Sequence, residues 1–228
     1  MSKDAWLRII PFAVFMAFIG LQQLLVWSGE QGFLALTEQQ LLYLYPAKAV
    51  LVAVLLLIFS RHYDELRWAD FKSLQHTAGS VLLGLLVFAL WINMDWDFAT
   101  FGESKGFNPT LIETDLVRNS LIFFRLFGAA LVVPIMEELF WRSFLLRYII
   151  DSDFMAVRIG TYSLMSFAVG SLLFGLEHNL VLAGIMAGAA YSLLLYWTKS
   201  INQCILAHAV TNLVLGIYVL QTGNWQFW

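Results

Sequence analysis

Residues 128–150 read GAALVVPIMEELFWRSFLLRYII, and this stretch decides the class of fold. Its length matches the roughly 20 apolar residues that an α-helix needs to cross the hydrocarbon core of a bilayer. Two glutamates, two arginines and Pro134 interrupt the apolar residues. Charged groups inside a membrane helix are costly, so they mark functional positions by default. The stretch therefore predicts a transmembrane helix that carries a polar site.

Six further apolar stretches predict additional membrane helices. They cover residues 6–27, 42–59, 78–94, 162–176, 181–197 and 201–220. The stretch at 162–176 is short, so it either spans the membrane or dips into it. Residues 116–127 form either an interfacial amphipathic helix or the first half of a long helix that is kinked near Pro134. Because no strand pattern occurs, we predict an all-α, polytopic membrane bundle of about seven to eight transmembrane helices.

Composition supports this class and excludes several others. Hydrophobic residues make up 60% of the 228 residues and charged residues only 13%, which is about half the share that is usual in soluble domains. The net charge of −3 gives no basis for binding nucleic acid. Cys204 is the single cysteine, which excludes an intrachain disulfide and a cysteine-rich metal site.

The distribution of positive charge predicts the orientation in the membrane. The loop 60–76 contains Arg61, Arg67 and Lys72, whereas the loop 28–40 contains no lysine or arginine. Under the positive-inside rule, a chain of seven spans then has a cytoplasmic N-terminus and an external C-terminus. An eighth span would reverse the C-terminus. We expect the first apolar stretch to be a retained anchor, because it is too long for the core of a cleavable signal peptide.

The most informative polar cluster is EELFWR at residues 137–142. Glu138 and Arg142 are four residues apart, so they share a helical face and can form an ion pair. Glu137 points about 100° away and has no partner at helical spacing. An unpaired carboxylate in a buried helix suits a general acid or base. The structural alternative is an ion-pair staple in which Arg142 serves both glutamates.

Two other polar clusters lie near helix ends or inside apolar helices. FGLEH at residues 174–178 is either part of a site or a helix end in water, and HAVTN at 208–212 is either part of a site or an interhelical hydrogen-bonding pair. Together the clusters supply a carboxylate pair, two histidines and an amide. Such groups suit the hydrolysis of an acyl bond, in which a base activates water and hydrogen-bond donors stabilise the oxyanion. The sequence contains neither the G-x-S-x-G pattern of serine hydrolases nor the H-E-x-x-H pattern of zinc proteases.

Two further features are expected to be structural. Lys48 lies near the start of the second stretch, where its side chain can extend to the membrane interface. GIMAG at residues 184–188 places small residues four apart, a spacing that allows two helices to approach closely.

The three clusters resemble, in order, the signature motifs E-E-x-x-x-R, F-x-x-x-H and H-x-x-x-N/D of the CPBP family of intramembrane proteases (CAAX protease and bacteriocin-processing, or Abi). This family includes the type II CAAX prenyl endopeptidases. The run PIMEELFWRSF at residues 134–144 is similar to a bacterial subgroup associated with exosortase systems. This resemblance implies a multi-pass protein of the bacterial inner (plasma) membrane.

The resemblance implies a cone-like bundle of about eight helices with a polar cavity inside the membrane. In that family, residues at the positions of Glu137 and His178 activate water. Residues at the positions of His208 and Asn212 form the oxyanion hole. The implied activity is endopeptidase cleavage of a membrane-associated protein or peptide, including a prenylated CAAX-type C-terminus. The implied partners are the lipid bilayer and that substrate.

The resemblance also implies supporting roles and a domain division. Glu138 and Arg142 would brace Glu137, and Phe174 would be a packing residue. Residues 1–228 would form a single transmembrane domain. Within it, residues 1–115 supply helices without motifs and residues 116–220 form the catalytic core.

No cofactor is expected to be required, although zinc is an open alternative. A zinc ion would take Glu137, His178 and His208 and leave one position for water. Asn212 is a poor zinc ligand and shares a helical face with His208, which favours an oxyanion hole and glutamic-type chemistry without a metal.

The alternative functions are a non-catalytic membrane scaffold, an immunity protein and a transporter that use the same buried polar residues. Transporters often contain internal repeats and paired broken helices, and the sequence shows neither.

Overall fold

The computed structural model describes residues 1–34, 36–102 and 106–228. Across these ranges the fold is all-α, and an isolated antiparallel bridge joins Thr100 to Leu180. Short 3₁₀ turns occupy parts of the connections. The helices in the described ranges are α1 (Lys3–Glu30), α2 (Glu38–Leu42), α3 (Leu44–Phe59), α4 (Leu74–Trp91), α5 (Asp115–Ile150), α6 (Leu164–Leu176), α7 (Val181–Thr198) and α8 (Ile201–Thr222).

Within the described residues, six helical segments are long and apolar enough to cross a membrane, in agreement with the predicted polytopic bundle. They are α1, the segment Glu38–His62 that contains α2 and α3, α4, α5, α7 and α8. The apolar helix α6 has 13 residues, so it covers only about 20 Å. The chain is a multi-pass membrane protein.

Contacts between connections define one end of the bundle, which we call the amino-terminal end. Arg8 near the start of α1 forms a 2.7 Å salt bridge with Glu65 in the α3–α4 connection. The Asn202 amide at the start of α8 donates to the Arg67 carbonyl in the same connection, over 2.7 Å. These contacts place the start of α1, the end of α3 and the start of α8 together.

The opposite end, which we call the carboxy-terminal end, contains the end of α8. The Phe107 backbone N–H donates to the Trp228 carbonyl (3.1 Å). The Gln39 amide donates to the Leu111 carbonyl (2.7 Å), which joins the start of α2 to the α4–α5 connection. The two chain termini therefore lie at opposite ends of the bundle.

Helix α6 connects the two ends of the bundle although it is short. Just before it, the Gly160 carbonyl accepts a hydrogen bond from the Lys199 ammonium at the amino-terminal end. Just after it, the Asn179 carbonyl accepts from the Phe101 backbone N–H at the carboxy-terminal end (2.8 Å). With this crossing, the described helices make seven passes between the two ends.

Helix α5 is one continuous element, so residues 116–127 are the first part of a long helix and not a separate interfacial helix. It contains two π-helical segments, Gly128–Val132 and Leu139–Leu145. π-Helical turns are rare in proteins overall, and those that occur are often found at functional sites. The two segments flank the glutamate pair of the first motif.

Small residues allow the close packing of the motif-bearing helices. A methyl group on Gly184 of α7 would lie 2.8 Å from the Gly175 Cα of α6, so the predicted packing role of residues 184–188 is confirmed. A methyl group on Gly84 of α4 would lie 2.4 Å from the Ala207 carbonyl oxygen of α8. Because α4 packs closely along α8, the first helices and the motif-bearing helices share one bundle. The division into residues 1–115 and 116–220 stays a prediction.

Candidate active site

The three sequence motifs converge on one cavity of about 310 Å³ inside the bundle. The first motif contributes from α5, the second from the end of α6 and the third from α8. Side chains of α1, α3, α4 and α7 and of Phe227 and Trp228 contribute to the rest of the wall. The ionisable and amide side chains from the motifs that line this cavity are Glu137, Glu177, His178, His208 and Asn212.

A buried ion network holds the base of the site. Arg142 donates from Nη1 to Glu138 Oε1 (3.2 Å) and from Nη2 to the Gly188 carbonyl of α7 (3.1 Å). The same Glu138 oxygen lies 2.9 Å from His208 Nδ1. Glu138 is completely buried and Arg142 is 1% exposed. This network connects α5, which carries Glu138 and Arg142, with α7 through Gly188 and with α8 through His208.

Glu137 lies next to this network but is not part of its ion pair. Its Oε2 atom is buried and has no hydrogen-bond partner among the described residues. Its described ion-pair contact is with His208, whose Nε2 lies 3.9 Å from the Glu137 Oε2 atom. The alternative in which Arg142 serves both glutamates is therefore not the observed arrangement, since the described salt bridge of Arg142 is with Glu138.

His178 is oriented by the backbone of its own motif. Its Nδ1 lies 2.7 Å from the Phe174 carbonyl oxygen, and a carbonyl can only accept. Nδ1 therefore carries a proton, which leaves the Nε2 lone pair of the neutral ring free for another partner. Trp91 of α4 makes an edge contact with the ring, with 5.3 Å between the centroids. These contacts fix the plane of the imidazole at the cavity wall.

Phe174 lies between the two histidines and the arginine. It is 1% exposed. Its ring centroid is 5.0 Å from that of His178 and 6.1 Å from that of His208. The Arg142 guanidinium lies 4.5 Å above its ring. This position fits the packing role that the resemblance implies.

His208 and Asn212 lie on one face of α8, as their spacing predicts. The Tyr191 ring stacks on His208 with 5.0 Å between centroids, and its hydroxyl donates to Thr211 Oγ1 over 2.8 Å. Asn212 Nδ2 donates to the Ala129 carbonyl in the first π-helical segment of α5 (2.8 Å). An amide group has two N–H donors, so this bond holds the side chain in place and leaves one donor.

The sequence reasoning missed Glu177. It is drawn into the cavity wall, where its Oε1 accepts from the Trp141 indole N–H (3.3 Å) and its buried Oε2 has no partner among the described residues. Ligand atoms of Glu137, Glu177 and His178 all lie within 4.8 Å of one another. The spacing of residues 174–178 offered no signal, because a glutamate at a helix end is ordinarily solvated.

This cluster decides which residues could hold a metal ion. Two carboxylates and an imidazole are suitable ligands for zinc. The structure groups Glu177, and not His208, with Glu137 and His178. The zinc ligand set that included His208 stays a prediction, and Glu177 is a further candidate ligand because it lies next to Glu137 and His178.

The prediction that the Lys48 side chain extends to the membrane interface was wrong. Its residue is 7% exposed, and its ammonium lies 4.0 Å from the Phe15 ring centroid and lines the same cavity. Arg125 of α5 lines the cavity as well. The side chain of Lys48 turns inward because the interior of the bundle, at that depth, offers aromatic faces and polar space.

Comparison with known proteins agrees with this geometry. A family model described as type II CAAX prenyl endopeptidase Rce1-like matches residues 119–214. The match contains all three motifs. Residues 119–214 form an Rce1-like domain. The Rce1-like domain covers fewer than half of the 228 residues and begins within α5. No curated protein and no solved structure matches the chain.

The match supports relating residues 119–214 to the CAAX-type intramembrane proteases, a family whose general property is protease activity.

Proposed function

We propose that the protein is an intramembrane endopeptidase that uses an activated water to cleave a peptide bond of a membrane-associated protein. The observation that carries this proposal is the convergence of Glu137, His178 and His208 on one cavity, although they come from three separate parts of the sequence. Prenylated CAAX-type proteins are the substrate class that the family suggests, and other membrane-tethered peptides are equally compatible with a cavity lined by apolar helices.

Glu137 and His178 are the proposed water-activating pair. A water molecule that bridges two atoms up to 4.8 Å apart can lie about 2.8 Å from each, within hydrogen-bonding range for general-base catalysis. Glu137 would take a proton as the water oxygen attacks the carbonyl carbon. Glu137 would then give that proton to the amine nitrogen as the C–N bond of the tetrahedral intermediate breaks, so that a neutral amine leaves. His178 Nε2 would accept a hydrogen bond from the second O–H of the attacking water and so orient it.

His208 and Asn212 are the proposed oxyanion donors. The Glu138 carboxylate, which also pairs with Arg142, accepts from His208 Nδ1, so Nε2 would serve as an oxyanion donor when it carries a proton as well. Asn212 offers the N–H that its bond to Ala129 does not use. Donors of this kind each contribute about 2.7–4 kcal/mol to transition-state stabilisation. Glu138 and Arg142 are positioning residues in this scheme.

We propose glutamic-type chemistry without a required metal. Glu137, Glu177 and His178 are nevertheless the residues that would hold a divalent cation, which would supply an acidified water at the same position. Chelation of the purified protein distinguishes the two. Activity that survives chelation supports the proposal, and activity that is lost and restored by zinc overturns it.

The proposed location is a bacterial inner (plasma) membrane with a cytoplasmic N-terminus. The described lysines and arginines outside the helices concentrate at the amino-terminal end, where the connections contain Arg61, Arg67, Lys72, Arg158 and Lys199. Under the positive-inside rule this end faces the cytoplasm.

Quantitative proteomics of membrane-protein termini tests the function. Cells that contain the wild-type protein are compared with cells that contain Glu137→Gln, with Arg118→Gln as a matched control on the same helix. We expect new C-termini in the wild type and in Arg118→Gln that Glu137→Gln lacks. Identical termini in all three strains would favour the scaffold, immunity or transporter alternatives.

A further inference from the structure

Two cations line the cavity at a distance from Glu137 along α5. Lys48 of α3 and Arg125 of α5 both face the ring of Tyr45, with Lys48 Nζ 4.9 Å and Arg125 Cζ 4.4 Å from its centroid. Trp228 also borders Arg125, at 5.7 Å. The pair comes from two helices and is enclosed by aromatic side chains, so it is a built part of the cavity and not a solvated surface cluster.

Neither cation is neutralised by an acidic partner. Among the residues that the structure describes, no carboxylate forms a salt bridge with Lys48 or Arg125, and the buried Nε of Arg125 has no hydrogen-bond partner. Aromatic faces stabilise each cation by cation–π attraction. They leave the total charge unchanged, however, and two like charges over one ring repel each other. An anion between them would remove this repulsion.

The cations and the glutamate of the first motif lie along one side of α5. Arg125, Ala129, Val133 and Glu137 are each four residues apart, and all four line the cavity. In a regular α-helix this spacing turns by about 40° at each step. The π-helical segment Gly128–Val132 has wider turns and so compensates for part of that rotation. Arg125 and Glu137 are about 18 Å apart along the axis, the length of about five extended residues.

We propose that Lys48 and Arg125 bind the terminal carboxylate of the substrate peptide and so set the distance between its free C-terminus and the cleaved bond. This inference rests on the proposed endopeptidase function and adds the recognition of the substrate's end. Glu137 and Glu177 are the acidic residues at the other end of the cavity. They would repel a carboxylate, so the charges at the two ends favour one direction of the bound peptide.

A lipid phosphate has similar chemistry, but the continuity of the cationic pair with Glu137 in one cavity favours the peptide carboxylate. A guanidinium is well suited to a carboxylate because its N–H donors match the two oxygens. The cavity thus pairs a terminus-binding end with a bond-cleaving end.

The test uses the purified full-length protein and a mixture of palmitoylated pentapeptides with free α-carboxylates. The matched probe is the same mixture as α-carboxamides. Binding is measured by the shift in thermal unfolding, followed by tryptophan fluorescence, as peptide concentration rises. The variants are Lys48→Gln and Arg125→Gln, with Arg125→Lys as the charge-keeping variant and Arg118→Gln as the control. Phosphatidylglycerol is titrated in parallel.

We expect the wild type and Arg118→Gln to bind the acids at least tenfold more tightly than the amides. That ratio should fall to about one in Lys48→Gln and Arg125→Gln and be largely restored in Arg125→Lys. Equal binding of acids and amides by the wild type, no binding of either, or a preference for phosphatidylglycerol that depends on the two cations would overturn the inference.

The Glu137→Gln variant separates this inference from the proposed function. Glu137 lies at the other end of the cavity, so this variant should keep the preference for acids over amides. A preference for acids without any cleavage that depends on Glu137 would reject the endopeptidase and retain the anion site. Cleavage that depends on Glu137 but is the same for acids and amides would retain the endopeptidase and reject the anion site.

Discussion

At the scale of single residues, two adjacent glutamates occupy different environments. Glu138 pairs with Arg142 and contacts His208, whereas the Oε2 of Glu137 has no hydrogen-bond partner among the described residues. Helical geometry alone separates them, since neighbours on a helix point about 100° apart. One glutamate is therefore positioned to hold the site together and the other to act within it.

Glu138→Gln should destabilise the protein strongly, whereas Glu137→Gln should not. Removing the Glu138 charge leaves Arg142 buried without its salt-bridge partner, and breaking a buried pair in this way costs about 3–5 kcal/mol. Unfolding of the purified variants in detergent, measured by denaturant titration, checks the difference. Equal stabilities for Glu138→Gln and the wild type would show that the network does not hold the helices.

The sequence predicted this division of the glutamates because both partners lie on one helix. It could not predict Glu177 and Lys48. Whether a side chain near a helix end meets water or a cavity depends on other helices. Trp141 is remote in the sequence from Glu177, and Phe15 is remote from Lys48. Local spacing contains no information about such neighbours.

At the scale of helices, α4 and α8 approach each other closely because a glycine, which has no side chain, lies at their contact. Gly84→Ala should destabilise the protein by about 1–3 kcal/mol, because the new methyl group would meet the Ala207 carbonyl of α8 at 2.4 Å. The displaced α8 carries His208, so hydrolysis should fall as well. Thermal unfolding and activity are measured together.

The matched control for this change is Gly20→Ala in α1, where nothing lies within 4 Å of the added methyl group. It should leave activity unchanged and raise stability slightly, since alanine is the better helix former. A Gly84→Ala variant as stable as Gly20→Ala would contradict the described contact between α4 and α8.

A second element-scale contact joins α1, the α3–α4 connection and α5. Glu65 accepts hydrogen bonds from Arg8 (2.7 Å) and from Ser143 of α5. Burial by itself raises the pKa of Glu65, but the bonds and charge of Arg8 and the bond from Ser143 outweigh it, so the pKa lies below the ordinary value of 4.5.

This lowered pKa predicts a loss of stability in acid. A carboxyl group whose pKa is lowered by folding contributes stability above its unfolded pKa and loses it as the pH falls through the folded value. The free energy of unfolding should therefore decline below about pH 4.5, and it should decline less in Glu65→Gln. The same slope in both proteins, measured by denaturant titration across that pH range, would rule out a contribution from Glu65.

At the scale of the whole molecule, the sequence predicted the class of fold and the convergence of the three motifs. Apolar length determines which segments cross, and charged residues inside them must meet one another or a wet cavity. The continuity of α5 was left open, because a mixed segment such as 116–127 fits either an interfacial helix or an extension. Its packing against α3 in the folded bundle decides it.

Seven passes predict opposite locations for the two ends of the bundle. The native Cys204 is completely buried, so single cysteines introduced elsewhere can be labelled selectively. Asn224→Cys at the carboxy-terminal end should react with a membrane-impermeant maleimide in intact cells, whereas Asp151→Cys should react only after the membrane is opened. The opposite pattern would reverse the orientation, and labelling of both in intact cells would refute seven passes.

The most direct test of the central claim is the turnover of purified wild-type protein and Glu137→Gln on a peptide identified from the altered termini. We expect kcat to fall at least about 100-fold, because the variant lacks the group that takes the proton from water, and thermal unfolding to stay unchanged. Undiminished turnover by a folded Glu137→Gln would show that Glu137 does not activate the water.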